Sequence, residues 1–137
     1  PRYDVRGKKI LETMEKYYLA DQGLLTFLHG YKDTYINGIL ENIVFIELLR
    51  RGYKVFIGKI GDMEIDFAAE KNGEKLYIQV AYLISSEETK ERELRPLKSL
   101  LALGDNFPKL ILTMDDLPPS NENGIVRKNI REWILEG

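Results

Sequence analysis

The chain has 137 residues, 44% of them apolar and 31% charged, with a formal net charge of −2 and no cysteine. A chain of this length and composition forms one globular domain with a real core. The composition excludes disulfides and thiolate metal sites. The slightly acidic balance also lacks the overall basic excess that proteins relying on phosphate contacts usually show.

The sequence also bears on location. No run of apolar residues approaches the roughly 20 that a membrane-spanning helix needs. No charged-then-apolar leader opens the sequence. With cysteine absent as well, we expect a cytoplasmic protein with no membrane partner.

We expect the first 37 residues to form an N-terminal arm or subdomain packed on a core of residues 38–137. The arm alternates loosely, which favours a hairpin or extended segment followed by a short strand at residues 16–20. Asp21 is suited to cap a short helix after that strand. The sequence begins without methionine, so we expect it to be part of a longer protein.

The core begins with the strongest helix signal, "GILENIVFIELLRR" at residues 38–51, closed by Gly52. This segment is apolar nearly all round, so the helix should be buried on more than one side. Three strand-like runs follow, at residues 53–60, 63–70 and 75–82.

A second helix is predicted to begin at a capping box made by Ser85 and Glu88 and to be kinked or divided at Pro96. Residues 108–114 read as a buried strand and residues 115–124 as a loop. Residues 125–135 read as an amphipathic helix. The core order of helix, three strands, helix and strand predicts an α/β fold with a mixed sheet flanked by helices.

The turn between the second and third strands fixes a register. Asn72-Gly73 is the strongest short signal for a two-residue type I′ turn, in which Lys71 pairs with Glu74. Paired residue numbers then sum to 145, which places Asp66 opposite Gln79. Strand alternation assigns the residues to two faces, with Ile65, Phe67, Ile78 and Val80 on one and Glu64, Asp66, Gln79 and Ala81 on the other.

The Asp66–Gln79 pair has two interpretations. It is either half of a site for a hard cation, since carboxylate and amide oxygens are suitable ligands, or a solvent-facing hydrogen bond.

Glu41 also has two interpretations. Its helical neighbours Val44, Phe45 and Leu48 are apolar, so its carboxylate needs a partner, a proton or a metal; alternatively it caps the helix start. Glu47, with Arg50 and Arg51 one turn later, reads as a surface ion pair.

A glutamate early in a helix, an aspartate on the second strand and a polar residue on its hairpin partner resemble the PD-(D/E)XK nuclease-like fold. The segments "EKYYLADQGL", "GILENIVFIELLRRGYKV", "EIDF", "YIQVAY" and "ETKERELRPL" together look like the C-terminal domain of unknown function of prokaryotic AAA-type ATPases. That resemblance covers most of the chain. It implies that an ATPase module precedes this domain. The G-x-x-x-x-G-K-[ST] phosphate loop is absent from this sequence, so we expect no ATP site of that kind in the chain itself.

The resemblance also implies site residues. Glu41 and Asp66 match the carboxylates that bind Mg²⁺ in working members, and Gln79 stands where the third carboxylate belongs. Ala81 stands where the lysine that activates water should be; Lys59, Arg92 and Arg95 are the candidates to replace that lysine. Glu41, Asp66 and Gln79 are thus the predicted catalytic set, with Glu41 and Asp66 as metal ligands.

Three functions are compatible with this pattern. The first is a non-cleaving module that recognises nucleic acid or a protein partner for the attached ATPase. The second is a Mg²⁺-dependent DNA endonuclease with a displaced lysine. The third is a structural domain in which the polar trio forms a buried hydrogen-bond network.

Overall fold

The computed structural model of the protein describes residues 32–84 and 86–137. The predicted N-terminal hairpin, short strand and short helix lie outside the described residues, as does Ser85. The described part has an α/β fold, with a six-stranded mixed sheet between helices. The predicted fold class is confirmed at that level. No helix in the described part of the chain has the length and apolar character needed to cross a membrane.

The helices are α1 (Asp33–Arg50), α2 (Glu87–Ala102) and α3 (Ile130–Glu136). The strands are β1 (Lys54–Ile60), β2 (Met63–Lys71), β3 (Glu74–Ala81), β4 (Lys109–Thr113), β5 (Ser120–Glu122) and β6 (Ile125–Asn129). They lie in the order β1-β2-β3-β4-β6-β5. β3 and β6 both run parallel to β4, and the other neighbouring strands pair antiparallel.

Each face of the sheet is covered by its own apolar cluster. On one face α1 and α3 pack against β2, β3 and β4, through residues such as Leu40, Leu48, Ile78, Leu112 and Trp133. On the other face α2 packs through Leu94 and Leu97 against Ile65, Tyr77, Ala81 and Ile111. Helices on both faces are expected where neighbouring strands run parallel, because such strands are buried on both sides.

The ends of α1 follow from its sequence. α1 begins at Asp33 rather than at Gly38, so it is longer than predicted. It ends as predicted at Gly52, whose φ is +88°. The Tyr53 N–H donates back to the Leu48 carbonyl at 3.0 Å, which satisfies a carbonyl that the helix end leaves without a partner.

Two boundaries of α2 differ from the prediction. The helix is capped by Ser86, one residue after the predicted start, and the Ser86 Oγ accepts from the Thr89 N–H at 3.1 Å. It also continues through Pro96 to Ala102 as one helix. Proline removes one backbone hydrogen bond but does not end a helix whose neighbouring residues are held by packing, as Leu94 and Leu97 are here.

The prediction of one helix over residues 125–135 is wrong. Residues 125–129 form β6, and α3 begins only after Asn129, whose side chain accepts from the N–H groups of Arg131 and Glu132. The missed signal is Asn123-Gly124, which has φ values of +54° and +89°. That is the same kind of turn as Asn72-Gly73. It joins β5, which lies in the segment predicted to be a loop, to β6 in a hairpin.

Candidate functional site

The predicted hairpin register is confirmed near the turn and ends at the candidate site. Backbone pairs run from Lys71↔Glu74 to Phe67↔Ile78. Beyond that pair two side chains connect the strands. The Asp66 N–H donates to Gln79 Oε1 at 2.7 Å, and the Val80 N–H donates to Asp66 Oδ2 at 2.8 Å. We call this point, formed by Asp66, Gln79 and Val80, the β2–β3 break.

A β-bulge lies at the same place on the other side of β2. β1 and β2 pair at Phe56↔Ala68 and then at Gly58↔Ile65. Two residues of β2, Asp66 and Phe67, therefore stand opposite a single residue of β1. Bulges of this kind change where side chains point and occur often beside functional sites.

The bulge explains why the predicted assignment of faces is wrong. Ile65 packs in the α2 cluster with Ala81, whereas Phe67, Ile78 and Val80 belong to the α1 cluster. Strict alternation had placed Ile65 with those three residues. One extra residue shifts the alternation by one position, so the segment before the bulge faces the opposite way from the prediction.

Gln79 is buried, with 4% of its surface exposed. Besides accepting from Asp66, it points its Nε2 at Glu93 of α2, 3.4 Å from the backbone carbonyl and 3.5 Å from the carboxylate. Sequence reasoning missed Glu93. The sequence held a signal for it, because Glu93 precedes the buried Leu97 by four residues and so lies on the same side of α2.

Three carboxyl groups from three elements influence each other at the break. Burial, together with the charges of Asp66 and Glu93, raises the pKa of Glu41 to about 7. Burial and the charge of Asp66 also raise the pKa of Glu93. Burial raises the pKa of Asp66, although the hydrogen bond from Val80 opposes this. The structure thus brings Glu41, Asp66 and Gln79 into one neighbourhood and adds Glu93.

The raised pKa of Glu41 contrasts with the pKa of Glu47, six residues later on α1, which is lowered. Glu47 is 7% exposed, so the prediction of a surface pair is wrong, but its predicted partners are confirmed. Arg50 donates at 2.6 and 2.8 Å and Arg51 at 2.9 Å. Burial would raise the pKa of Glu47, but these bonds outweigh it and lower the pKa. Arg51 also lies 4.2 Å over the ring of Trp133, so this ion pair ties α1 to α3.

The residues at the break do not form a ready-made metal site. Across residues 32–84 and 86–137, no group of three or more histidine, cysteine, aspartate or glutamate side chains is placed to hold a metal ion. One oxygen each of Asp66 and Gln79 already accepts a backbone N–H. Binding of Mg²⁺ by Glu41 and Asp66 therefore stays a prediction.

Among residues 32–84 and 86–137, no lysine contacts Asp66 or Gln79 in place of the one missing at Ala81. Ala81 itself is buried in the α2 cluster. Lys109 is buried as well, and its Nζ is committed to Asp105 and to the Phe107 carbonyl at 2.7–3.0 Å. Lys59 is exposed on β1 beside Glu64 in the strand register. Arg92 lies 3.8 Å from Glu93, whose carboxylate lies 3.5 Å from Gln79.

Comparisons with known proteins identify a relative but no function. No family model and no solved structure matches the chain. The chain is similar to an uncharacterized protein of Haemophilus influenzae, with 42% identity over 135 residues. The match covers 98% of this chain and 32% of the relative, so the chain spans about a third of the relative's length.

The raised pKa of Glu41 predicts a pH-dependent stability difference. Between its ordinary value of 4.5 and about 7, the native state binds more protons than the unfolded state, so stability falls as pH rises. Glu41→Gln should therefore match the wild type near pH 4.5 and be more stable by about 1–2 kcal/mol at pH 8, after allowance for screening of a half-buried group. Urea unfolding across this range measures it. Exposed Glu88→Gln is the control, and an equal gain at both pH values would contradict the assignment.

We expect the stability of the native state to depend on a neutral side chain at Gln79. In Gln79→Glu, a fourth carboxylate would meet that of Glu93, so we expect a loss of about 1–3 kcal/mol at pH 7.5. The loss should shrink at pH 5, where protonation relieves the repulsion. Gln79→Met, which loses the same hydrogen bonds without adding charge, should be destabilised equally at both pH values. Thermal unfolding of the two variants gives the comparison, and identical pH profiles would rule out the charge explanation.

Proposed function

We propose that this chain is the nuclease-like domain of a larger AAA-type ATPase and that it binds nucleic acid without cleaving it. The observation that carries the proposal is the β2–β3 break. Glu41 and Asp66 stand where the resemblance to PD-(D/E)XK nucleases puts the metal-binding carboxylates. The remaining positions, Gln79 and Ala81, are occupied by an amide engaged in internal hydrogen bonds and by a buried methyl group.

The architecture supports the nuclease-like scaffold. Helix α1, the antiparallel strands β1 to β3, helix α2 and the parallel strand β4 follow one another in the order that the resemblance implies. The acidic residues come from α1 and β2, and the charge of Asp66 contributes to raising the pKa of Glu41. This agreement of order and position supports a common scaffold; a fold alone does not determine activity.

The polar inventory supports binding without cleavage. Hydrolysis of a phosphodiester assisted by a metal requires an activated water and neutralisation of developing charge. Loss of the lysine and of one carboxylate should slow such a reaction roughly 10²–10⁴-fold or more. Among the residues that the structure describes, neither Lys109 nor Ala81 can supply the missing proton donor.

The attached ATPase is supported by the length of the relative. The matched region accounts for 32% of the Haemophilus influenzae protein, which leaves room for a further module. The chain itself contains no G-x-x-x-x-G-K-[ST] loop, so nucleotide binding of that kind would belong to the remainder of the larger protein.

A cleavage and binding assay tests the proposal. The wild-type chain and Asp66→Asn, which keeps an acceptor for the Val80 N–H, are incubated with supercoiled DNA and single-stranded DNA in Mg²⁺ or Mn²⁺. We expect no cutting above background by either protein and measurable binding by the wild type at low salt.

Metal-dependent cutting by the wild type that is lost in Asp66→Asn would contradict the proposal and establish the second reading, an active endonuclease. Equal cutting by both proteins would indicate a contaminating nuclease. Absence of binding to any nucleic acid at low salt would also contradict the proposal.

A further inference from the structure

The outward face of α2 carries three cations at helical spacing. Arg92, Arg95 and Lys98 follow one another at three-residue intervals along α2 and line one surface pocket, together with Glu91 and Ser99. We call these three residues the basic stripe. With a rise of about 1.5 Å per residue, the stripe extends about 9 Å along the helix axis. One strand of a duplex rises about 3.4 Å per phosphate, so this length corresponds to two or three phosphates.

The cations of the stripe are weakly engaged within the chain. The side chain of Arg92 is 72% exposed and lies 3.8 Å from the Glu93 carboxylate, and Lys98 lies 3.5 Å from that of Glu91. Among the described residues, the side chain of Arg95 makes no ion pair or hydrogen bond. Exposed pairs at these distances contribute little stability, so an incoming phosphate can replace them at small cost.

The other basic group that stands out in the sequence, Arg127, Lys128 and Arg131, is more firmly engaged. Arg127 donates to the Pro118 carbonyl at 3.1 Å, and Lys128 lies 3.0 Å from a carboxylate oxygen of Glu136. Arg131 also has a partner. Between the two groups, the stripe has the more available positive charge.

The stripe also adjoins the β2–β3 break. Arg92 is followed directly by Glu93, whose carboxylate lies 3.5 Å from Gln79. The carboxyl groups at the break repel phosphate, so a nucleic acid approaching this part of the chain needs positive charge beside them. The stripe supplies that charge on the exposed side of the same helix.

We infer that the basic stripe of Arg92, Arg95 and Lys98 is the surface on which the chain holds the phosphodiester backbone of nucleic acid. This inference rests on the proposed function and gives it a location. Contacts of this kind carry no sequence information, so the stripe sets affinity and position on the strand.

The experiment measures binding of the 137-residue chain to a labelled duplex and to labelled single strands of DNA and RNA by fluorescence anisotropy, from 50 to 200 mM salt. The test variant is Arg92→Gln/Arg95→Gln/Lys98→Gln. The control, Lys32→Gln/Lys54→Gln/Lys75→Gln, removes the same total charge from exposed positions just before α1, on β1 and on β3. Circular dichroism melting confirms that both variants fold.

Loss of three phosphate contacts should flatten the slope of log affinity against log salt by about 2.7 for duplex DNA and about 2 for a single strand. The test variant should bind at least roughly tenfold more weakly at 50 mM salt. The control should stay close to the wild type, because its lysines lie off the binding surface.

Three results would overturn the inference. If both variants weaken equally, binding depends on net charge and the stripe has no special part, while the proposed function stands. If the test variant binds nucleic acid normally but no longer associates with the purified remainder of the full-length protein, the stripe is a protein interface. If the wild type binds no nucleic acid at 50 mM salt, the proposed function fails together with the inference.

Discussion

Two side chains crossing between β2 and β3 hold together the part of the molecule on which the proposed function rests. Asp66 accepts the N–H of Val80, and Gln79 accepts the N–H of Asp66. These bonds satisfy backbone groups that would otherwise be buried without partners where the ladder stops. They let β3 separate from β2 while its far side pairs with β4, at Gln79↔Ile111 and Val80↔Leu112. Glu41 of α1 and Glu93 of α2 lie close enough to this point for the charge of Asp66 to raise the pKa of each.

This arrangement destabilises the charged forms of the carboxyl groups around it. Glu41, Asp66 and Glu93 all have raised pKa values, and burial is the first cause for each. Groups perturbed in this way collect at functional sites, although structural networks produce them too. Gln79 limits the cost, since its amide can accept from Asp66 and donate toward Glu93, which a carboxylate could not do without a proton or a cation. A neutral residue at this position is consistent with a scaffold that keeps the acidic site but not the chemistry.

Local signals in the sequence predicted much of this arrangement. They did not predict the features that depend on contacts between residues distant in the chain. Asn72-Gly73 predicted the hairpin, its register and the approach of Asp66 to Gln79, because a type I′ turn determines its own geometry. The apolar helical neighbours of Glu41 predicted that its carboxylate needs a partner, a proton or a metal. The bulge at Asp66 and Phe67 depends on pairing with β1, and no residue type within β2 predicts it. Glu93 reaches the site through the packing of α2, which is a tertiary contact. β6 was missed although the Asn123-Gly124 turn before it is a local signal of the same kind as Asn72-Gly73.

The most direct test of the β2–β3 break is amide hydrogen exchange measured by NMR on the wild type and on Gln79→Met. In the wild type, the N–H groups of Asp66 and Val80 should both exchange slowly, because each is bonded to a side chain inside the sheet. In Gln79→Met, exchange of the Asp66 N–H should accelerate strongly while that of Val80, bonded to Asp66, should change much less. Unprotected Asp66 and Val80 amides in the wild type, or an Asp66 amide indifferent to the loss of Gln79, would contradict the break.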